Sequence, residues 1–108
     1  MSNLVLDASA LLALLQDEPG AGRVLESLPG ALISSVNLSE VVAKLSDLGM
    51  PEADIRTALR LGLDVVSFDP SLAFAAGSLR TATRSAGLSL GDRACLALAG
   101  SRSLPALT

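Results

Sequence analysis

Three acidic residues sit where carboxylates could do chemistry. Asp7 ends a short apolar run, Glu40 lies in a helical stretch after a second apolar run, and Asp92 follows a glycine-containing loop. Gathered together they would form an all-oxygen centre. Two unit charges about 4 Å apart repel by ~4 kcal/mol at an effective dielectric of about 20. Converging carboxylates must therefore shift their pKa values, stay apart, or bind a cation. Hard divalent ions such as Mg²⁺ or Mn²⁺ prefer oxygen donors and keep several waters. An ion of this kind activates water and stabilises charge on a phosphoryl oxygen.

Other chemistries are excluded by what the 108 residues lack. There is no His, so zinc sites built on His, Ser-His-Asp triads and His general bases are out. The single Lys, Lys44, follows no phosphate-binding loop. The single Cys, Cys95, allows neither an internal disulfide nor a Cys-x-x-Cys motif; it fits a reducing cytosol and reads as a small buried hydrophobe. With no Tyr or Trp and only Phe68 and Phe74, stacking platforms for single strands are absent.

Taken singly, each acid also has an ordinary structural role. Asp7 is placed to cap a helix. Glu40 can pair with Lys44 one turn on. Asp92 can satisfy the dipole of a first turn. Spacing alone leaves both readings open.

The elements that would position these residues alternate between strand and helix. Residues 3–6 read as a strand and 8–15 as a helix. The apolar spacing over 21–28 is helical, and Pro29-Gly30 ends it. Residues 31–34 form a second strand, with Ser35 as N-cap of a helix striped by Leu38, Val41, Val42, Leu45 and Leu48, and ended by Gly49. Pro51 takes a helix N1 position, and Gly62 closes that helix. Residues 63–68 form a third strand. Asp69-Pro70 starts a long helix ending at Gly87, a loop spans 88–91, and a helix runs from Asp92 to about Gly100. Residues 104–107 make a fourth strand. Such alternation predicts a parallel sheet covered by helices on both faces. The consecutive apolar pairs, among them Val65-Val66, predict two-sided burial. Ligands in such sheets bind beyond the carboxyl ends of the strands.

The chain fits one domain over residues 1–108, and half of its residues are hydrophobic. Eleven acids against eight bases leave a net charge of −3, so any nucleic-acid contact needs local positive charge. The bases are mostly Arg, which grips phosphate with a planar fork. Arg93, next to Asp92, is a candidate RNA contact, and the pairs Arg56/Arg60 and Arg80/Arg84 are others. No apolar stretch approaches the ~20 residues of a membrane span, and a cytoplasmic location is expected.

Three segments together resemble the PIN-domain toxins, the VapC-like ribonucleases. Residues 5–14 (VLDASALLAL) are similar to the family's opening, 33–41 (ISSVNLSEV) to its second motif, and 88–97 (LSLGDRACLA) to its third. The resemblance runs over essentially the whole chain. It implies a three-layer α/β/α PIN-like fold around a central parallel sheet. It also implies a Mg²⁺- or Mn²⁺-dependent endoribonuclease, the toxin of a toxin–antitoxin pair, with RNA as substrate, a cognate antitoxin as partner and a homodimer as assembly. Asp7, Glu40 and Asp92 match the metal-site acids, and Ser9 matches a small hydroxyl residue that orients Asp7 or a metal-bound water. Asn37 lies in the second motif without an assigned role.

In the family a fourth acid and a fifth strand follow a stretch like residues 104–108, and the strand order resembles 3-2-1-4-5. Here about four strands are expected, with the last an uncovered edge prone to self-association and the metal bound more weakly. The alternative reading is an impaired remnant that folds and binds antitoxin, or a second copy, without cleaving RNA. A flavodoxin-like receiver also gathers acids at a sheet edge, but it needs a Lys after a late strand, and Lys44 lies mid-chain.

Overall fold

The computed structural model describes residues 3–108. Strand β1 (Leu4–Leu6) leads into α1 (Ala8–Leu15), α2 (Ala21–Ser27), β2 (Ala31–Ser34), α3 (Ser35–Asp47) and α4 (Glu52–Ala58). Then come β3 (Asp64–Val66), α5 (Pro70–Ala82), a 3-10 turn (Arg84–Ala86), α6 (Leu90–Arg102) and β4 (Ala106–Leu107). All pairings are parallel, in the order β3-β2-β1-β4. This is the first four-fifths of the order that the resemblance implied.

Alternating strand residues feed two helical layers, as the two-residue period of a strand requires. Val5 and Leu32 pack with Leu72, Ala76, Cys95 and Leu98 of α5 and α6. Leu6, Ala31 and Ile33 face the other way, onto Ala10 and Leu11 of α1, Val24 of α2, Val41 and Leu45 of α3, and Ile55 of α4. The result is a three-layer α/β/α fold. Strand β1 is central, so its carboxyl end opens at the middle of the sheet. Its register is held by β4: Val5 donates to the Pro105 carbonyl at 2.9 Å, and Asp7 donates to that of Leu107 at 3.1 Å.

Several expectations need correction. The long helix from Pro70 stops at Ala82, and a separate 3-10 turn over Arg84–Ala86 follows before Gly87. The third strand is not covered on both faces: β3 lies at the sheet edge and Val65 is 49% exposed. Two apolar neighbours fit a half-covered edge as well as a buried centre. The cap of α3 is Ser34, whose Oγ accepts from the Val36 amide at 3.2 Å. Ser35 instead accepts from the Phe68 amide at 3.0 Å, tying the helix to the segment after β3. Pro51 stands at the N-cap of α4 rather than N1, and α4 ends at Ala58, well before Gly62. Asp92 does not open its helix. Helix α6 begins at Leu90 behind the N-cap Ser89, and Asp92 is the third helical residue.

Candidate functional site

Asp7 emerges from the central strand as the N-cap of α1. Its Oδ1 accepts from the Ala10 amide at 2.9 Å and from the Ser9 hydroxyl at 2.8 Å. The expected cap is present: Oδ1 serves the helix, and Oδ2 stays outside these bonds. Ser9 orients that carboxylate directly. Asp7 is nearly buried, at 8% exposure.

Glu40 stands one turn into α3 and is exposed. It makes no ion pair with Lys44; among the described residues the ion pair is Glu52–Arg56, at 3.4 Å. Its Oε1 instead accepts from Asn37 Nδ2 at 2.9 Å. The same Asn37 nitrogen donates to the Gly91 carbonyl at 3.1 Å, across 54 residues of sequence. Asn37 is 1% exposed, and its Oδ1 is buried with no partner. Gly91 matters for a steric reason: a Cβ there would overlap the Glu40 carboxylate.

Asp92 forms a capping box with Ser89. Its Oδ2 accepts from the Ser89 amide at 2.9 Å, and Ser89 Oγ accepts from the Asp92 amide at 3.1 Å. One carboxylate oxygen again serves the backbone.

These elements bring the three acids to one place. Asp7, Glu40 and Asp92 line a single cavity of about 280 Å³ with Ala8, Ser9, Leu12 and Asn37. A second hollow of about 220 Å³ shares Asp7 and Asp92 and reaches Cys95, Leu88 and Leu96. The convergence is felt by Cys95, whose thiol is pushed up to about 12, first by burial and then by the negative charge of Asp7, Asp92 and Glu40. As expected, that cysteine is buried and free. Among the described residues, no three acidic or thiol side chains stand close enough to enclose an ion by themselves. The donors still suit a hard cation: oxygens only, around a space large enough to keep water on the ion, since Mg²⁺ is commonly held by one or two carboxylates plus water.

Arg93 faces away from this cavity. Its Nη1 donates to the Ala76 carbonyl at 3.1 Å, and it lines a separate cleft with Arg80 and Arg84. Sequence reasoning passed over the parts played by Asn37 and Gly91. Both sit inside the quoted motifs, so position was the available signal.

The PIN domain model matches residues 4–108. The chain belongs to the PIN domain family. Solved structures share this PIN fold. A toxin-antitoxin complex from Klebsiella pneumoniae aligns at TM-score 0.80 and 24% identity, over 98% of this chain and 85% of that one. DNA-bound VapBC from Salmonella typhimurium aligns at 0.76 and 23%, over 96% and 83%. VapBC2 from Rickettsia felis, bound to a promoter DNA fragment, aligns at 0.74 and 18%, over 97% and 86%. No curated protein sequence matches the chain. No helix of the described residues is long and apolar enough to cross a membrane.

Proposed function

We propose that this PIN domain is a divalent-metal-dependent endoribonuclease, the toxin of a toxin–antitoxin pair. The observation that carries this reading is the single cavity shared by Asp7, Glu40 and Asp92, three acids from distant parts of the chain at the carboxyl edge of a parallel sheet. Carboxylates so placed would hold Mg²⁺ or Mn²⁺, which when bound supplies water activation and charge stabilisation at a phosphoryl oxygen. The residues themselves do the positioning. Ser9 fixes the rotamer of Asp7, Asn37 holds Glu40 toward Gly91, and the Ser89 amide holds the Asp92 carboxylate. Each acid keeps one carboxylate oxygen outside these bonds. Hydrolysis of an RNA phosphodiester by water is the reaction this donor set fits. The toxin–antitoxin assemblies of the Klebsiella, Salmonella and Rickettsia structures support an antitoxin as the partner.

A second reading, a domain that binds a partner without cleaving RNA, draws on the open spacing of the acids. Asp7→Asn separates the two. Asn caps a helix about as well as Asp, so the variant folds with an unchanged Tm. RNA cleavage in Mg²⁺ or Mn²⁺ should fall by more than the roughly 10–100-fold that disturbing a ligand's outer partners costs. Growth arrest on expression should vanish with it. Cleavage equal in parent and variant overturns the assignment of Asp7, and no cleavage by the parent with either metal favours the second reading.

A further inference from the structure

Resting on the nuclease reading, we propose that the cleft between α5 and α6 is a phosphate site that seats the RNA strand beside the acidic cavity. Arg80, Arg84 and Arg93 converge on this cleft of about 280 Å³, together with the hydroxyl residues Thr83 and Ser89. No acid lines it, although the chain carries more acids than bases. None of the three arginines is in an ion pair among the described residues. Three like charges around one space, with no acid in its lining and no ion pair to any of them among the described residues, are a site for an anion.

Arg93 forms the fixed floor. Its hold on the Ala76 carbonyl pins the guanidinium, and its Nε–H is buried without an acceptor. Five donors on a planar fork leave others for a ligand, and a pre-set fork suits phosphate oxygens. Arg80 and Arg84 are exposed at the mouth.

The cleft adjoins the acids. Leu88 lines both this cleft and the hollow that holds Asp7 and Asp92. Ser89, in its wall, is capped by the Asp92 carboxylate. RNA approaching an acidic cavity on a chain of net charge −3 is repelled, and the arginine cleft is where that repulsion is reversed. The ligand is the repeating phosphate of a single strand.

The test uses a single-stranded RNA oligonucleotide in metal-free buffer, where the metal-dependent hydrolysis does not run, with affinity measured by fluorescence anisotropy across a salt series. The variants are Arg80→Gln/Arg84→Gln, both at exposed positions, and Arg56→Gln as a distant control. Each phosphate contact on a single strand contributes about 0.7 to the salt slope, or about fivefold in affinity at roughly 0.1 M salt. The double variant should therefore bind about 25-fold more weakly, with a slope lower by about 1.4, and Arg56→Gln should match the parent. An unchanged slope in the double variant, or an equal loss in Arg56→Gln, overturns the proposal. So does a polyglutamate peptide that binds more tightly than the oligonucleotide with the same arginine dependence. Cleavage is scored separately in Mg²⁺: cleavage with unchanged slopes removes the cleft alone, whereas lowered slopes without cleavage remove the nuclease reading and leave the cleft.

Discussion

Replacing Gly91 with alanine tests whether the site depends on the space a missing side chain leaves. Gly91 lies in the first turn of α6, and the atoms nearest to an added Cβ are those of the Glu40 carboxylate, the movable end of a side chain. Two effects on stability oppose each other. Alanine in place of glycine in a helix contributes about 0.5–1 kcal/mol. Pushing Glu40 aside breaks its bond from Asn37, and a hydrogen bond to a charged group contributes roughly 1.5–3 kcal/mol, toward the low end here because Glu40 is exposed. The net is a loss of about 1 kcal/mol, which lowers Tm by roughly 4–8 °C in a domain of this size. The chain stays folded, with only a displaced carboxylate. Metal affinity and RNA cleavage should nevertheless fall about 10–100-fold, the usual cost of disturbing the setting of a metal ligand. Thermal denaturation read beside Mn²⁺ calorimetry and a fluorescent RNA substrate makes the comparison. Unchanged metal binding and cleavage in a folded Gly91→Ala would refute the claim that Glu40 must occupy that space.

Other expectations follow from the same geometry. Ser89→Ala removes half of the capping box and should cost about 1 kcal/mol, seen as a Tm lower by several degrees. Cys95 has its thiol raised from 9.0 to about 12. A raised folded pKa gives a stability contribution that is complete below about pH 9 and is lost as pH climbs toward 12. Denaturant titrations from pH 8 to 11 in metal-free buffer should show a decline in the parent that is shallower in Cys95→Ala; equal declines would contradict it. Leu98→Ala, at a position fully buried between α6 and the sheet, should destabilise by about 2–5 kcal/mol in urea titration.

Much of this fold could be read from local pattern because its elements carry their own punctuation. Asp69-Pro70 and the sequence before α1 place helix starts where the structure has them. What failed were choices between neighbours of equal propensity. Ser34 and Ser35 both cap well, and the decision came from Phe68, whose amide takes the second hydroxyl. Val65-Val66 looked like a buried strand because exposure depends on sheet order, which local sequence does not carry. The three acids were legible as candidates, and the structure places them around one cavity. The Asn37 bridge to Gly91 was not legible, since it joins residues 54 apart. The arginine cleft was hidden for a similar reason: Arg93 joins Arg80 and Arg84 only when α6 lies along α5.

The bond from the Asp7 amide to the Leu107 carbonyl sets an order of assembly. The first carboxylate is anchored by backbone synthesised about a hundred residues later, and closing a loop of that length costs on the order of 4 kcal/mol of chain entropy. Until that strand pairs, the Asp7 carboxylate has only its local partners, the Ser9 hydroxyl and the Ala10 amide, and its backbone lacks the long-range bond. Pairing of residues 106–107 with β1 is thus a long-range, late contribution to the assembly of the cavity wall.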